Sequence, residues 1–306
     1  MKSFVRTVEA GSFTLAAEQL RIAKSAVSRR VADLERRLGA QLLQRTTRRL
    51  TLTDAGRAFY EGAVRVLSDL ADIEAEIGDR RAALSGTIRV AAPLSFGLDW
   101  LGPALIDFMD AHGGVTFDID FSDRMMDLVA EGFDLAIRIG DLPDSSLVAR
   151  RLAPIETVAA ASPAYLDTHG VPEAPADLAG HRELAYSGRP NKGWHYTGPD
   201  GTPGDIEMPV GLRSTSGDFL REAAMAGHGV IIEPGFILCD AIRDGHLVQV
   251  LEDYKWPSLS LYAVYPPTRH LPARTRALID FLAERFGEVP PWTLDAIGGA
   301  GDISAP

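Results

Sequence analysis

The stretch 24-KSAVSRRVADLERRLG-39 packs five basic residues into a segment of a chain whose formal net charge is −11. Its apolar residues Val27, Val31, Leu34 and Leu38 are spaced 4, 3 and 4. That spacing predicts an amphipathic helix with these four side chains facing inward and Gly39 as its stop. Lys24, Ser25, Ser28 and Arg29 then fall on the other side of its first turns. Arg36 and Arg37 lie beside Glu35 near the carboxyl end, where cations offset the helix dipole, and are read as structural or solvated.

Charge is unevenly spread around this helix. Residues 1–60 hold twelve Lys/Arg against five Asp/Glu, a net of +7, and the rest hold nineteen against thirty-seven, a net of −18. Such asymmetry suggests a nucleic-acid-binding head on an acidic body, against the plainer reading of clustered surface charge. The length of 306 residues fits two or three domains, and 46% hydrophobic with 24% charged residues is ordinary for a soluble globular protein. Cys239 is the only cysteine, so one chain can form no internal disulfide or Cys-based zinc site. No long apolar segment opens the chain, and the run 229-GVIIEPGFIL-238 is broken by Glu233 and Pro234. A cytoplasmic protein without a membrane segment is expected.

The flanks of the basic helix complete a pattern. Residues 3–11 read as a short helix with Phe4, Val5 and Val8 on one side and Gly11 at its end. Residues 12–20 read as a second helix, capped by Ser12 or Thr14, with Leu15, Ala16 and Leu20 inward. The chain turns at 21–23 and enters the helix of residues 24–38. After Gly39, two short β-prone runs around a basic turn predict a hairpin carrying Arg45, Arg48 and Arg49. A helix placed in this way offers its N-terminal residues to bases and phosphates in a major groove, and arginines on a wing suit a minor groove. A solvated charged loop is the alternative for the hairpin.

The runs 14-TLAAEQL-20, 25-SAVSRRVADLERRLG-39 and 42-LLQRTTRRLTLTDAG-56 resemble the winged helix-turn-helix of LysR-type bacterial transcriptional regulators. The resemblance implies DNA contacts from Lys24, Ser25, Ser28 and Arg29 and a minor-groove contact from Arg48. This chain has Ser25 where many members have Pro, and Ala23 where they have Ser.

From Gly56 a third pattern begins. Phe59, Ala63, Val66, Leu70, Ile73, Ile77 and Leu84 are spaced 4, 3, 4, 3, 4 and 7, with Arg80 interrupting. This is the seam of a coiled coil over 57–86 and favours a homodimer or homotetramer over a lone amphipathic helix. Beyond Thr87, strands alternate with helices, which implies a mainly parallel α/β sheet. The stretches 88-IRVAAPLSFG-97, 133-FDLAIRIGDLPDSSLVARRLAP-154, 161-ASPAYL-166 and 227-GHGVIIEPGF-236 resemble the effector domain of the same regulators, itself similar to periplasmic substrate-binding proteins.

The expected architecture is therefore α/β and multi-domain: a DNA-binding head (1–56), a linker helix (57–86), a two-lobed effector domain (87–287) and a Gly-, Pro- and Ala-rich tail (288–306) expected to be partly disordered. Crossovers near 162 and 266 would give lobe one as 87–162 plus 266–287 and lobe two as 163–265. A cleft between such lobes lies at the carboxyl ends of strands. Ser95, Phe96, Ser122, Asp123, Ser214, Thr215, Ser216 and Phe236 are the side chains expected beside it. Helix capping is the alternative role for each Ser and Thr. Glu233 would put an acid in or beside the cleft, and Trp194 and His195 belong either near it or to a hairpin with a packed Trp.

No nucleophile elbow, phosphate loop or His/Cys metal spacing occurs in the right context, so no cofactor, metal or bond chemistry is expected. The function expected is regulation of transcription through promoter DNA, a small-molecule effector, self-association and RNA polymerase. An α/β enzyme with a basic appendage and an architectural DNA binder are the rival readings.

Overall fold

The computed structural model describes residues 1–45, 50–77, 84–124, 126–140, 142, 145–188, 193–267 and 271–294. The chain divides into two compact units, Met1–Ala83 and Leu84–Pro306.

The first unit holds α1 (Lys2–Glu9), α2 (Phe13–Leu20), α3 (Lys24–Leu38), β1 (Leu43–Arg45), β2 (Leu50–Leu52) and α4 (Asp54–Ile77). Ser12 is the N-cap of α2, its hydroxyl accepting from Thr14 N at 3.2 Å. Val27, Val31 and Leu34 of α3 are buried beside Phe4, Val5, Ala16 and Ala17. Leu15 and Leu38, both expected inward, are instead 50% and 42% exposed. Small Ala16 and Ala17 make the close approach of α2, and Leu38 lies beyond the last turn that α1 covers. Strands β1 and β2 pair antiparallel with Leu43 opposite Leu52.

A web of bonds sets where this hairpin leaves α3. Glu35 Oε1 accepts from Leu42 N and Leu43 N at 2.9 and 3.1 Å. The Thr53 hydroxyl donates to Gln41 O at 2.7 Å and accepts from Gly56 N at 2.9 Å, which starts α4. A Cβ on Gly56 would lie 1.9 Å from Leu42 O, so only glycine lets α4 pass the hairpin here. Within α4, Ala63 is buried in the head core, whereas Val66 and Leu70 are 53% and 41% exposed. The described helix ends at Ile77 and residues 85–86 already belong to a strand, so the helix does not run through to 86 as expected. Arg80 lies outside the described residues.

The second unit runs β3 (Ser85–Ala92), α5 (Leu94–Phe96), a π-helical turn (Gly97–Leu101), α6 (Gly102–Ala111), β4 (Gly114–Phe121), α7 (Leu128–Glu131), β5 (Leu135–Ile139) and β6 (Val148–Ile155). It continues with β7 (Thr157–Ala161), α8 (Pro163–His169), β8 (Glu183–Tyr186), β9 (Trp194–Thr197), β10 (Pro203–Ile206), β11 (Val210–Ser214), α9 (Gly217–Met225) and β12 (Val230–Pro234). α10 (Gly235–Arg243), β13 (Val248–Val250), β14 (Leu259–Tyr265) and α11 (Ala273–Phe286) complete it.

Two five-stranded sheets form, in the orders β4-β3-β5-β14-β6 and β11-β8-β12-β7-β13. Both are mixed rather than mainly parallel: β3 runs parallel to β4 and β5, but β14 is antiparallel to β5 and β6. β8 likewise runs parallel to β11 and β12, while β7 is antiparallel to β12 and β13. The reason is that each sheet receives one strand from a chain arriving out of the other lobe. The passages fall at Glu156 and between Val250 and Leu259, not near 162 and 266. Glu156 alone separates Val148–Ile155 in the first sheet from Thr157–Ala161 in the second. One continuous core joins the lobes, with Ile88, Leu105 and Ile137 from the first and Ile231, Leu238 and Cys239 from the second.

The described part of the tail, residues 288–294, is packed onto the body. Trp292 is 2% exposed and packs against Phe286 and Phe96, at 5.2 and 5.3 Å between ring centroids. A large apolar surface of that kind outweighs the Gly- and Pro-rich composition around it. Residues 295–306 lie outside the described residues.

Two predictions follow from this packing. Gly56→Ala destabilises the head by about 3 kcal/mol, because the new Cβ meets a backbone oxygen that cannot move without shifting the hairpin; denaturant unfolding of the full chain reads this. His181 is 5% exposed, with Nδ1 3.3 Å from the Tyr165 hydroxyl, and burial followed by the nearby His169 holds its pKa below the ordinary value. A depressed folded-state pKa means the unfolded chain binds more protons, so this stability is present above about pH 6.5 and is lost as pH falls. The drop in melting temperature from pH 7 to pH 5 is therefore smaller in His181→Gln than in wild type.

Candidate functional site

Two sites were anticipated, one in each unit. In the head, Lys24, Ser25 and Arg29 are exposed and Ser28 is partly buried, all on the outer side of α3. The N-cap of α3 is Ala23, which supplies no side-chain acceptor, so the first amides of the helix are left open to an outside acceptor. The absent cap costs the helix about 1 kcal/mol relative to a Ser. Arg36 pairs with Asp33 at 3.0 Å on the exposed surface, in line with a solvated role. The hairpin expected as a wing is present in β1 and β2. Its turn, with Arg48 and Arg49, lies outside the described residues, as does the side chain of Arg45.

In the body, the carboxyl ends of β3 and β4 lead to Ser95 and to Ser122–Asp123, and those of β11 and β12 lead to Ser214–Ser216 and to Phe236. The structure assigns several of these a local task. Ser95 Oγ donates to Asp218 Oδ2 at 2.7 Å, a bond between the two lobes. Asp218 is held from its other oxygen by Arg221 at 3.4 Å. Burial, with Asp218 as the next cause, raises the pKa of neighbouring Asp99. Asp123 accepts from Leu94 N at 3.1 Å and fixes the start of α5. Ser216 caps α9 by accepting from Phe219 N at 3.2 Å, and Ser214 accepts from Ser216 N at 3.0 Å. Ser122 is partly buried, and Thr215 is exposed.

Phe96 and Phe236 are not cleft walls. They are 0% and 6% exposed and meet edge-to-face at 5.4 Å inside the shared core. Phe96 closes α5 and Phe236 lies in the first turn of α10, and their rings turn inward because aromatic surface is better buried than offered to water.

A residue that sequence reasoning missed is Tyr186, at the carboxyl end of β8. Burial raises the pKa of its phenol, and the charges of Asp123 from lobe one and Glu233 from lobe two raise it further. Tyr186 therefore lies where both lobes are felt. The signal available was the Ser-Gly pair after 183-ELAY-186, which marks a strand end. Glu233 itself is 6% exposed, on β12 opposite Val158. Trp194 belongs to the β9–β10 hairpin, where its Nε1 donates to Glu183 at 2.9 Å and its ring packs on Trp256. His195 pairs with Asp205 on the exposed side of that hairpin. Cys239 is buried and its thiol is pushed up to about 11, mainly by burial, which makes it a poor nucleophile. Among the described residues no group of three or more His, Cys, Asp or Glu side chains could hold a metal ion, and no helix is long and apolar enough to cross a membrane.

A winged helix-turn-helix followed by a long helix and a two-lobed mixed α/β unit defines a DNA-binding regulator with a ligand-sensing body. Residues 1–57 match the family model of the bacterial regulatory helix-turn-helix protein, lysR family, and residues 81–287 match the LysR substrate binding domain. The chain belongs to the LysR family of transcriptional regulators. It is 37% identical over 276 residues to an uncharacterized HTH-type transcriptional regulator of Haemophilus influenzae, covering 90% of this chain and 96% of that protein. It is 33% identical over 290 residues to the transcriptional activator AaeR of Escherichia coli, covering 94% of each. Among solved structures it is similar to CrgA, a LysR-type regulator of Neisseria meningitidis, at 34% identity and a TM-score of 0.59, with 92% of this chain and 96% of that one covered. The full-length virulence activator AphB of Vibrio cholerae matches at 31% identity and a TM-score of 0.59, with 92% and 97% covered.

Proposed function

We propose that this regulator reads promoter DNA through the outer side of α3 and the β1–β2 hairpin, and answers to a small molecule held between the two lobes. The observation that carries the reading is the division of α3 into a buried face (Val27, Val31, Leu34) and a basic, hydroxyl-bearing outer face. Lys24, Ser25 and Ser28 contact phosphates or mixed base edges, Arg29 a base or phosphate in the major groove, and Arg48 the minor groove. The body, with its acidic balance, repels DNA and leaves the head to bind it.

Self-association completes the reading. Val66 and Leu70 of α4 are exposed large apolar residues on the seam expected to pair. In the body, Ile106, Met109 and Ile119 beside edge strand β4, and Val210 and Phe219 beside edge strand β11, are likewise exposed. Two copies would present two recognition helices to half-sites about one helical turn of DNA apart. RNA polymerase is the further partner through which a promoter-bound regulator acts. No catalysis and no cofactor enter this function, and its setting is the cytoplasm, where the promoter lies.

The effector pocket of this reading is bounded by Ser95, Ser122, Asp123, Ser214, Thr215 and Ser216, with Tyr186 and Glu233 added. Two acids beside it favour an effector that presents hydrogen-bond donors or an amine.

The DNA interface is tested by titrating the full chain against its own upstream promoter region in an ultracentrifuge. Ser28→Ala and Arg48→Ala each weaken specific binding, and Arg48→Ala also reduces the salt slope by about 1. Wild type binds as two or four protomers. Undiminished affinity in both variants would refute the site, and one protomer per site would refute self-association. The pocket is tested by thermal shift with a metabolite panel: at least one compound raises the melting temperature of wild type and not of Ser95→Trp, which fills the space. Equal shifts in both proteins count against the cleft.

A further inference from the structure

The C-terminal segment after α11 turns back to the point where the chain passes between lobes. Trp292, 2% exposed, sits there among rings of lobe one. Phe96 and Trp100 of lobe one lie at 5.3 Å from its ring, and Phe286 at 5.2 Å. Phe96 in turn meets Phe236 of lobe two at 5.4 Å. The Trp292 backbone reaches the passage itself: the carbonyl oxygens of Trp292 and Glu156 both lie 3.5 Å from the place a Gly235 Cβ would take. Gly235 N donates to that same Glu156 carbonyl at 2.8 Å. Trp100 Nε1 donates across the lobes to Phe236 O at 3.1 Å.

We infer that residues 287–294 form a strap whose Trp292 wedges the interlobe hinge, and that the angle between the lobes is set by this wedge. Three observations support a device rather than an ordinary core residue. The segment lies outside both sheets and adds no strand to either. Its tryptophan ring packs on Phe96, Trp100 and Phe286 of lobe one while its carbonyl oxygen lies beside Gly235 at the start of α10 in lobe two, so a rotation of the lobes about Glu156 moves one contact against the other. Its indole Nε1 is buried with no hydrogen-bond partner among the described residues, which is unusual for a core tryptophan.

The wedge is also connected to the cleft. Ser95 and Phe96 are adjacent in α5, and Glu233 and Phe236 flank the junction of β12 and α10. In each pair the first residue borders the cleft and the second reaches the aromatic cluster. A ligand that shifts either segment therefore moves a ring that touches Trp292 or its neighbour. Packed aromatic clusters have discrete arrangements, so such a shift favours one interlobe angle over another. This coupling rests on the reading of the cleft as the effector site, whereas the wedge itself does not.

The test uses the full chain without any ligand. Spin labels at Val129→Cys in lobe one and Val171→Cys in lobe two, 64% and 63% exposed, report the interlobe distance. Buried Cys239 stays unlabelled, which a control lacking the two introduced cysteines verifies. With labelled chains diluted into an excess of unlabelled chain, so that distances between protomers drop out, the intact Trp292 side chain gives one narrow distance distribution. Trp292→Ala broadens it or adds a second distance, and Trp292→Phe, which keeps a ring and removes the orphan N–H, keeps it narrow and raises the melting temperature. If Trp292→Ala fails to fold, Trp292→Leu carries the same distance readout. An unchanged narrow distribution in the folded Ala or Leu variant overturns the wedge, as does a Phe variant that broadens as much as Ala. Failure here leaves the thermal-shift result on the cleft standing, and a failed ligand screen leaves this distance result standing.

Discussion

The body of this regulator depends on one constraint, the passage of the chain between two sheets through the single residue Glu156. β6 ends at Ile155 in the first sheet and β7 begins at Thr157 in the second. With no slack between them, the lobes are held by the ladder hydrogen bonds of both strands. The return passage is tied to the first, since the Thr157 hydroxyl donates to Pro257 O at 2.8 Å. Each sheet thus contains one strand that arrives from the other lobe. That exchange makes both sheets mixed and lets one apolar core run through both lobes. The parallel strands of each lobe point their carboxyl ends to the junction, the place where open α/β sheets bind ligands.

The head obeys a different constraint. A small three-helix unit can bury only a narrow stripe from each helix. α3 gives up Val27, Val31 and Leu34, and α2 gives up Ala16 and Ala17 in place of larger residues. What remains on the outside of α3 is free to be basic. Glu35 and Thr53, with Gly56, then fix the hairpin against α3 by bonds to its backbone. The positive charge of the first sixty residues is thereby concentrated on elements whose inner faces are fully committed to packing.

Much of this was legible in the order of residues. The spacing of Val27, Val31 and Leu34, the capping Ser12 and the stop at Gly39 describe local helix physics, and they appear as read. Where the reading failed, the deciding partner was distant in sequence. Leu38 and Leu15 have the periodicity of inward residues, but no neighbouring helix reaches them. Phe96 and Phe236 follow strand ends that border a cleft, yet each finds the other's ring 140 residues away. Tyr186 could not be ranked as a site residue until Asp123 and Glu233 were brought to either side of it.

The sequence by itself determined the class of protein: a basic helix-turn-helix with a hairpin, a long helix and an alternating α/β body, all consequences of short-range periodicity and charge. Only the tertiary structure decided which lobe owns β7 and β14, which hydroxyls are already taken by helix caps, and that Trp292 belongs to the hinge rather than to a loose end. Strand exchange, cap satisfaction and ring packing depend on contacts between residues far apart in the chain, and local patterns hold no record of those contacts.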